Sequence, residues 1–262
     1  MEKLVIIKIG GNIVDDEAAL TSFLDAFAGT PGKKILVHGG GKVATRLAAD
    51  LNVPQQLVDG RRITDAETLK IVTMVYAGLI NKNIVASLQS RGCNAMGLTG
   101  ADGNAIKAHK RVKASLDYGF AGDVDSINAE LIDGLLKQDL NIVFAPITHD
   151  QKGQLLNTNA DTIAQEIAKG LSKLYNVQLI YSFEKAGVLR DANDDKTVIS
   201  RIDPASYKEL KDQQVIFAGM IPKLDNAFAA IGSGVAKVII GNAQQLAQLI
   251  DGSAGTTITD AA

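Results

Sequence analysis

"VIIKIGGNIV", residues 5–14, decides how the rest of the chain is read. An apolar, β-branched run that ends in glycine has the form of a strand buried on both faces, as in a parallel sheet. Lys8 interrupts that run, and a fully buried ammonium costs several kcal/mol unless something pairs with it. Lys8 therefore either stands at the open end of the strand or meets an anion. The pair Gly10–Gly11 that follows supports the second reading, because glycine lets backbone N–H groups approach an anion closely.

Outward from this stretch, strand-like and helix-like patterns alternate. Residues 3–9, 33–38, 141–147, 177–182 and 236–241 read as strands, and residues 16–28 and 41–51 as helices. Residues 64–90 read as one long helix of about 40 Å at 1.5 Å per residue. Thr64 and Glu67 have capping-box spacing at its start, and Leu69, Val72, Tyr76 and Leu79 form an apolar stripe. The alternation predicts an α/β fold with a mostly parallel sheet and helices on both faces. The polar run 190–198 reads as a surface excursion, and a lobe boundary is placed near residue 172.

The chain has 262 residues, 46% of them apolar, enough for one large core or two modest ones. Its 27 basic and 29 acidic residues give a net charge of −2, without the basic excess expected of a nucleic-acid or membrane-surface binder. Cys93, the single cysteine, allows no internal disulfide and suggests a reducing compartment. With no apolar leader at Met1, the expectation is a cytoplasmic protein with no nucleic-acid or membrane partner.

The second strand also ends in glycines, "VHGGGKVA" at 37–44. Two glycine turns leading into helix starts, with Lys8 as counter-charge, point to a phosphate or carboxylate ligand at the carboxyl ends of the strands. Gly39, Gly41 and Ala44 also fit a dinucleotide fingerprint with Asp59 as ribose acid, but Asp59 does not end a strand and that reading leaves Lys8 unused. The Walker phosphate loop is absent. Further on, "NTNADT" (157–162) clusters Asn157, Asn159 and Asp161 at a helix start, more than capping needs. "AGMIPKLDNA" (218–227) puts Lys223 at another helix start, where a cation opposes the helix dipole unless an anion is near.

Taken together, "IIKIGGN", "VHGGGK", "DGRRIT", "NTNAD" and "GMIPK", in this order and spacing, resemble the amino acid kinase family, most closely its acetylglutamate kinase branch. The resemblance spans residues 3 to about 258. It implies a three-layer αβα sandwich with residues 1–172 as an acylglutamate-binding and dimerising lobe and 173–262 as a nucleotide-binding lobe. It further implies transfer of the ATP γ-phosphoryl group to the γ-carboxylate of N-acetyl-L-glutamate, in arginine biosynthesis. Lys8, Asp161 and Lys223 would form the catalytic set, with Asp161 holding the two lysines. Gly10, Gly11, Gly40 and Gly41 would line the phosphoryl and substrate sites, Arg62 would clamp a substrate carboxylate bidentately, and Asn157 would bind the α-carboxylate or amide. Mg2+ would come with ATP, held mainly by phosphate oxygens and water rather than by protein side chains. A carboxylate acceptor is already ionised at neutral pH and needs no general base, so His38, His109 and His149 are assigned structural roles.

The chain departs from the pattern in two places. "SFEKAG" (182–187) stands where relatives carry an S/T-D-V-x-G segment, with Glu184 as a possible substitute for the aspartate. Arg61 stands where relatives place an apolar residue beside the acyl pocket. Facing a methyl it would gain little, and facing a third carboxylate, as in N-succinylglutamate, it would form a charge-assisted pair. Alternatively, adjacent residues point to opposite sides and leave Arg61 in solvent or at an interface. Other family kinases and a non-catalytic nucleotide sensor are the competing functions, the latter disfavoured by intact Lys8, Asp161 and Lys223. A homodimer through the 64–90 helix is expected, without feedback inhibition by arginine, since the first strand starts at residue 3 with no helix before it.

Overall fold

The computed structural model describes residues 1–58, 61–112, 116–191, 193–216 and 220–260. The chain opens with β1 (Lys3–Ile9), α1 (Gly11–Asp15), α2 (Glu17–Gly29), β2 (Lys33–His38) and α3 (Gly41–Asp50). The short strands β3 (Leu57–Val58) and β4 (Arg61–Arg62) lead to α4 (Ala66–Val72), a π-helical segment (Thr73–Ile80) and α5 (Asn81–Gln89). There follow β5 (Ala95–Leu98), β6 (Ile106–Lys110), β7 (Ala121–Ile127), α6 (Ala129–Leu136), β8 (Asn141–Phe144), β9 (Ile147–His149), β10 (Leu155–Thr158) and α7 (Ala160–Leu171). The chain closes with β11 (Asn176–Phe183), β12 (Arg201–Ile202), α8 (Pro204–Asp212), α9 (Ile221–Ile231), β13 (Lys237–Asn242), α10 (Leu246–Asp251) and β14 (Thr256–Ile258).

Eight strands form one sheet in the order β12-β14-β13-β11-β1-β2-β8-β5. Its described pairs are parallel except β13–β14. Alternation along β1 divides the core between the two faces. Leu4 and Ile6 pack with Val37, Phe144 and, on α7, Ile163 and Ile167. Val5, Ile7 and Ile9 pack with Phe23 and Phe27 of α2 and Ala44 of α3. Lys8 shares the parity of Leu4 and Ile6, so its side chain is directed to the α7 face, a consequence of the two-residue strand period. The mostly parallel αβα expectation is met.

The helical stretch Ala66–Gln89, 24 residues, is long and apolar enough to cross a membrane. It is a core helix instead, with Leu69, Val72, Val75, Tyr76, Ile80, Ile84 and Leu88 buried in the α2–α3 side of the core. Two expectations about it are corrected. Thr64 is not its cap: the Asp65 carboxylate accepts from Thr68 N–H, while the Thr64 hydroxyl donates to Arg62 O. Its apolar stripe is also not an open face, since Leu69, Val72 and Tyr76 are buried in this subunit and Leu79 alone of the four is exposed.

The reading of 141–147 as a single strand is corrected too, because the chain breaks at Ala145–Pro146 into β8 and β9. β9 joins a closed four-strand barrel, β10-β7-β6-β9, that sequence patterning did not reveal. The barrel is pinned to the segment after β4: Thr64 N–H donates to Tyr118 O and Phe120 N–H to Thr64 O. Gly119 sits between them at φ 66°, where a Cβ would collide with the Thr64 carbonyl.

Candidate active site

β1 leaves the sheet at its centre, with β2 on one side and β11 on the other; Ile9 is opposite both His38 and Ser182. The crevice beyond this strand end is the topological switch point where open α/β sheets bind ligands. The two glycine turns meet there: a Cβ on Gly39 would lie 3.6 Å from Gly11 N, and one on Gly11 would lie 3.9 Å from Gly41 N. Gly40, at φ 151°, admits no side chain, since a Cβ would run into Ile80. The π-helical segment thus presses the turn into place. Neither α1 nor α3 has a side-chain cap, so the first-turn N–H groups of the ten-residue α3 are left for another acceptor. Gly10 is different, because its N–H donates to Ser182 O at 3.1 Å and ties the turn to β11 rather than facing an anion.

α7 approaches on the Lys8 face. The Asn159 carboxamide caps it, accepting from Asp161 N–H and Thr162 N–H, and Asp161 stands in its first turn. The Asp161 carboxylate lies 2.7 Å from Lys8 Nζ through Oδ1 and 3.4 Å from Lys223 Nζ through Oδ2. Burial on its own would raise this carboxyl, but Lys8 and then Lys223 outweigh it and hold it at about 2. Lys223 comes from the uncapped first turn of α9, and its ammonium lies 6.0 Å from the centre of the Phe183 ring. Gly219, of the same motif, and Asp59, of the dinucleotide reading, lie outside the described residues. Residues remote in sequence, Lys8, Asp161 and Lys223, are thereby joined as one charged unit beside the glycine turns.

A second cluster lines the crevice between the α3 turn and the barrel: Gly41, Arg61, Arg62, Arg111, Gly122 and Asn157 among its walls. Arg62 is buried and tethered, donating from Nη2 to Gly41 O and to Thr45 Oγ1, each at 2.9 Å, and from Nη1 to Gln55 Oε1. Both Nη2 hydrogens are in use, so a bidentate grip on a carboxylate requires one of these bonds to be exchanged. Asn157 donates to Thr64 Oγ1 at 3.0 Å. Arg111, which motif reading missed, is bonded to Asp123 through both Nε and Nη2. It reaches the crevice because β6 and β7 pair in the barrel, a contact with no local sequence signal. Arg61 lines the same crevice as Arg62, half-buried, rather than standing in solvent.

His38 lies buried under the α3 turn. Asn81 Nδ2 donates to its Nε2, so its Nδ1–H donates to Gly39 O at 2.8 Å. Burial lowers its pKa to about 4, leaving the ring neutral and structural. His109 pairs with Asp125 on the exposed barrel wall. Glu184, at the β11 end, accepts from Asn12 Nδ2 at 2.8 Å, bridging β11 to α1.

A switch-point crevice that sets two lysines on one carboxylate beside abutting glycine turns, with an arginine-lined pocket next to it, is an arrangement suited to anionic ligands. The sequence profile of the amino acid kinase family matches residues 3–242, and the chain belongs to that family. It is 58% identical over 252 residues to the acetylglutamate kinase of Cytophaga hutchinsonii, covering 96% of each chain. It is 56% identical over 257 residues to that of Phocaeicola vulgatus, covering 98% of each. Among solved structures it shares its fold with an N-acetylglutamate synthase from Neisseria gonorrhoeae: TM-score 0.84 at 20% identity, over 99% of this chain and 60% of that one.

Proposed function

We propose that this chain transfers the γ-phosphoryl group of ATP to the γ-carboxylate of N-acetyl-L-glutamate, the acyl-phosphate-forming step of arginine biosynthesis. The observation that carries this reading is Asp161 bridging Lys8 and Lys223 beside the Gly10–Gly11 and Gly39–Gly41 turns. Identities of 56–58% to proteins named acetylglutamate kinase support the substrate.

In the reaction a carboxylate oxygen attacks the γ-phosphorus, the bond to the ADP oxygen breaks, and no proton moves. The obstacle is mutual repulsion of two anions, so positioning and charge neutralisation supply the catalysis. Lys8 and Lys223 stabilise the transferring oxygens from opposite sides, and Asp161 holds them in place as a positioning residue. The first N–H groups of α3, from Gly41 onward, add donors, and Arg62 with Asn157 receives the α-carboxylate end. Asp161 is already paired with two lysines, so Mg2+ would arrive with the nucleotide rather than on protein side chains and would supply charge neutralisation. Residues 1–172 bind the acylglutamate and 173–262 the nucleotide, with Glu184 next to the latter. The enzyme works as a cytoplasmic homodimer, its contact including the exposed Met74 and Leu79. Hydroxylamine trapping of the acyl phosphate, with ATP and a panel of acidic substrates, tests the reading; no trapped product with any N-acylglutamate would sink it.

A further inference from the structure

The two lysines on Asp161 are not held equally. Lys8 Nζ stands 2.7 Å from Oδ1 and its side chain is 14% exposed, whereas Lys223 Nζ stands 3.4 Å from Oδ2 and its side chain is 32% exposed. Lys223 also projects from the uncapped first turn of α9, where the helix dipole opposes a cation. An ammonium on a flexible four-carbon stem, with one long bond to its carboxylate, needs a second contact to keep one position. The Phe183 ring supplies it, with Lys223 Nζ 6.0 Å from the ring centre, at the reach of cation–π attraction. Phe183 is itself fixed by both of its neighbours in the chain. Ser182 O accepts from Gly10 N–H at 3.1 Å, Glu184 Oε1 from Asn12 Nδ2 at 2.8 Å, and Glu184 O from Asn242 Nδ2 at 3.0 Å. Strand alternation puts the half-buried Phe183 on the same face as Tyr181, packed against the core that α7 and α9 share.

We propose that Phe183 is a positioning residue for phosphoryl transfer: its ring steadies the Lys223 ammonium that Asp161 alone holds loosely, and the bonds at Ser182 and Glu184 set that lysine in register with the Gly10–Gly11 turn. The inference rests on the kinase reading above and adds one residue to its machinery. The ring makes and breaks no bond; it acts on the transferring group only through Lys223. An aromatic face suits this place because it attracts the ammonium without neutralising it, whereas a second carboxylate there would repel both Asp161 and the incoming phosphate. The departure at residues 182–187 thereby acquires a use, since it is what places an aromatic ring beside the lysine.

The test is acyl-phosphate formation from ATP and N-acetylglutamate by the purified full chain and by its Phe183→Leu, Phe183→Met and Phe183→Tyr variants. Removing the ring should lower kcat about three- to ten-fold in both the Leu and the Met variant, with both KM values within about two-fold of wild type. Phe183→Tyr keeps the ring and should hold kcat within about two-fold of wild type. A double-mutant cycle separates this role from loosened packing. In the Lys223→Ala background Phe183→Leu should change kcat by less than about two-fold, because the ring then has nothing to position. Wild-type kcat in the Leu and Met variants, an equal loss in Phe183→Tyr, or a loss that persists undiminished without Lys223 overturns the assignment while the kinase reading stands. No acyl phosphate from the wild-type chain with any N-acylglutamate overturns the kinase reading itself.

Discussion

The two halves of the crevice handle charge in opposite ways. Around Asp161, two lysines share one carboxylate, every charge has a partner, and the partners come from β1, α7 and α9. Around Arg62 the donors are tied to neutral groups (Gly41 O, Thr45 Oγ1 and Gln55 Oε1), while Arg61 and the Asp123-paired Arg111 line the same crevice. On the proposed function, the first cluster acts on the transition state. On the same reading, the second is completed by substrate. Loss of a side chain should therefore reduce kcat in the first region and raise KM in the second.

The largest effect is expected at the lysines. Lys8→Ala or Lys223→Ala should cost about 10²–10³-fold in kcat, the loss typical of one preorganised donor, with ATP binding changed far less. Steady-state kinetics and nucleotide titration check this, and near wild-type kcat in either variant would break the contrast. At the glycine turn under the second region, His38 makes a pH prediction of about 3 kcal/mol. Its folded pKa of about 4 lies below the unfolded value near 6.5, so its contribution to stability is present in full above 6.5 and is lost as pH falls towards 4. Urea unfolding at pH 7.5 and 4.5 should show that loss in the wild type and a flatter profile in His38→Gln.

Arg62→Ala should raise the KM for the acylglutamate about 10–100-fold while KM for ATP stays put, because a charge-assisted pair is worth about 1.5–3 kcal/mol. A loss confined to kcat would place Arg62 with the first region instead. The smallest effect is expected outside the crevice. Leu79→Glu, at an exposed position on the π-helical segment, should weaken self-association by light scattering with kcat changed less than two-fold. An unaltered dimer would move the contact elsewhere.

Much of the first region was legible in the chain itself. A lysine at an even step from buried Leu4 and Ile6, glycines at two strand ends, and an acid in a capped helix start are local patterns set by strand period, backbone freedom and helix-end chemistry. The same patterns settled β1, β2, β11 and β13 within a residue or so, and the parallel sheet with them. The second region was legible only in part. Arg62 and Asn157 stood out within motifs, but Arg111 carries no local signature, and the side to which Arg61 points depends on where a two-residue strand meets a barrel wall.

What the sequence determined by itself was therefore the sheet, the glycine turns and the types of charged group available, because these follow from interactions between residues a few positions apart. Only the tertiary structure decided that one carboxylate serves two lysines, that Gly10 ties the turn to β11, and that three arginines share a crevice. Those depend on pairings between residues tens to hundreds of positions apart, such as β6 with β7 and Lys8 with Asp161, whose geometry is fixed by how the layers pack and by no short-range preference.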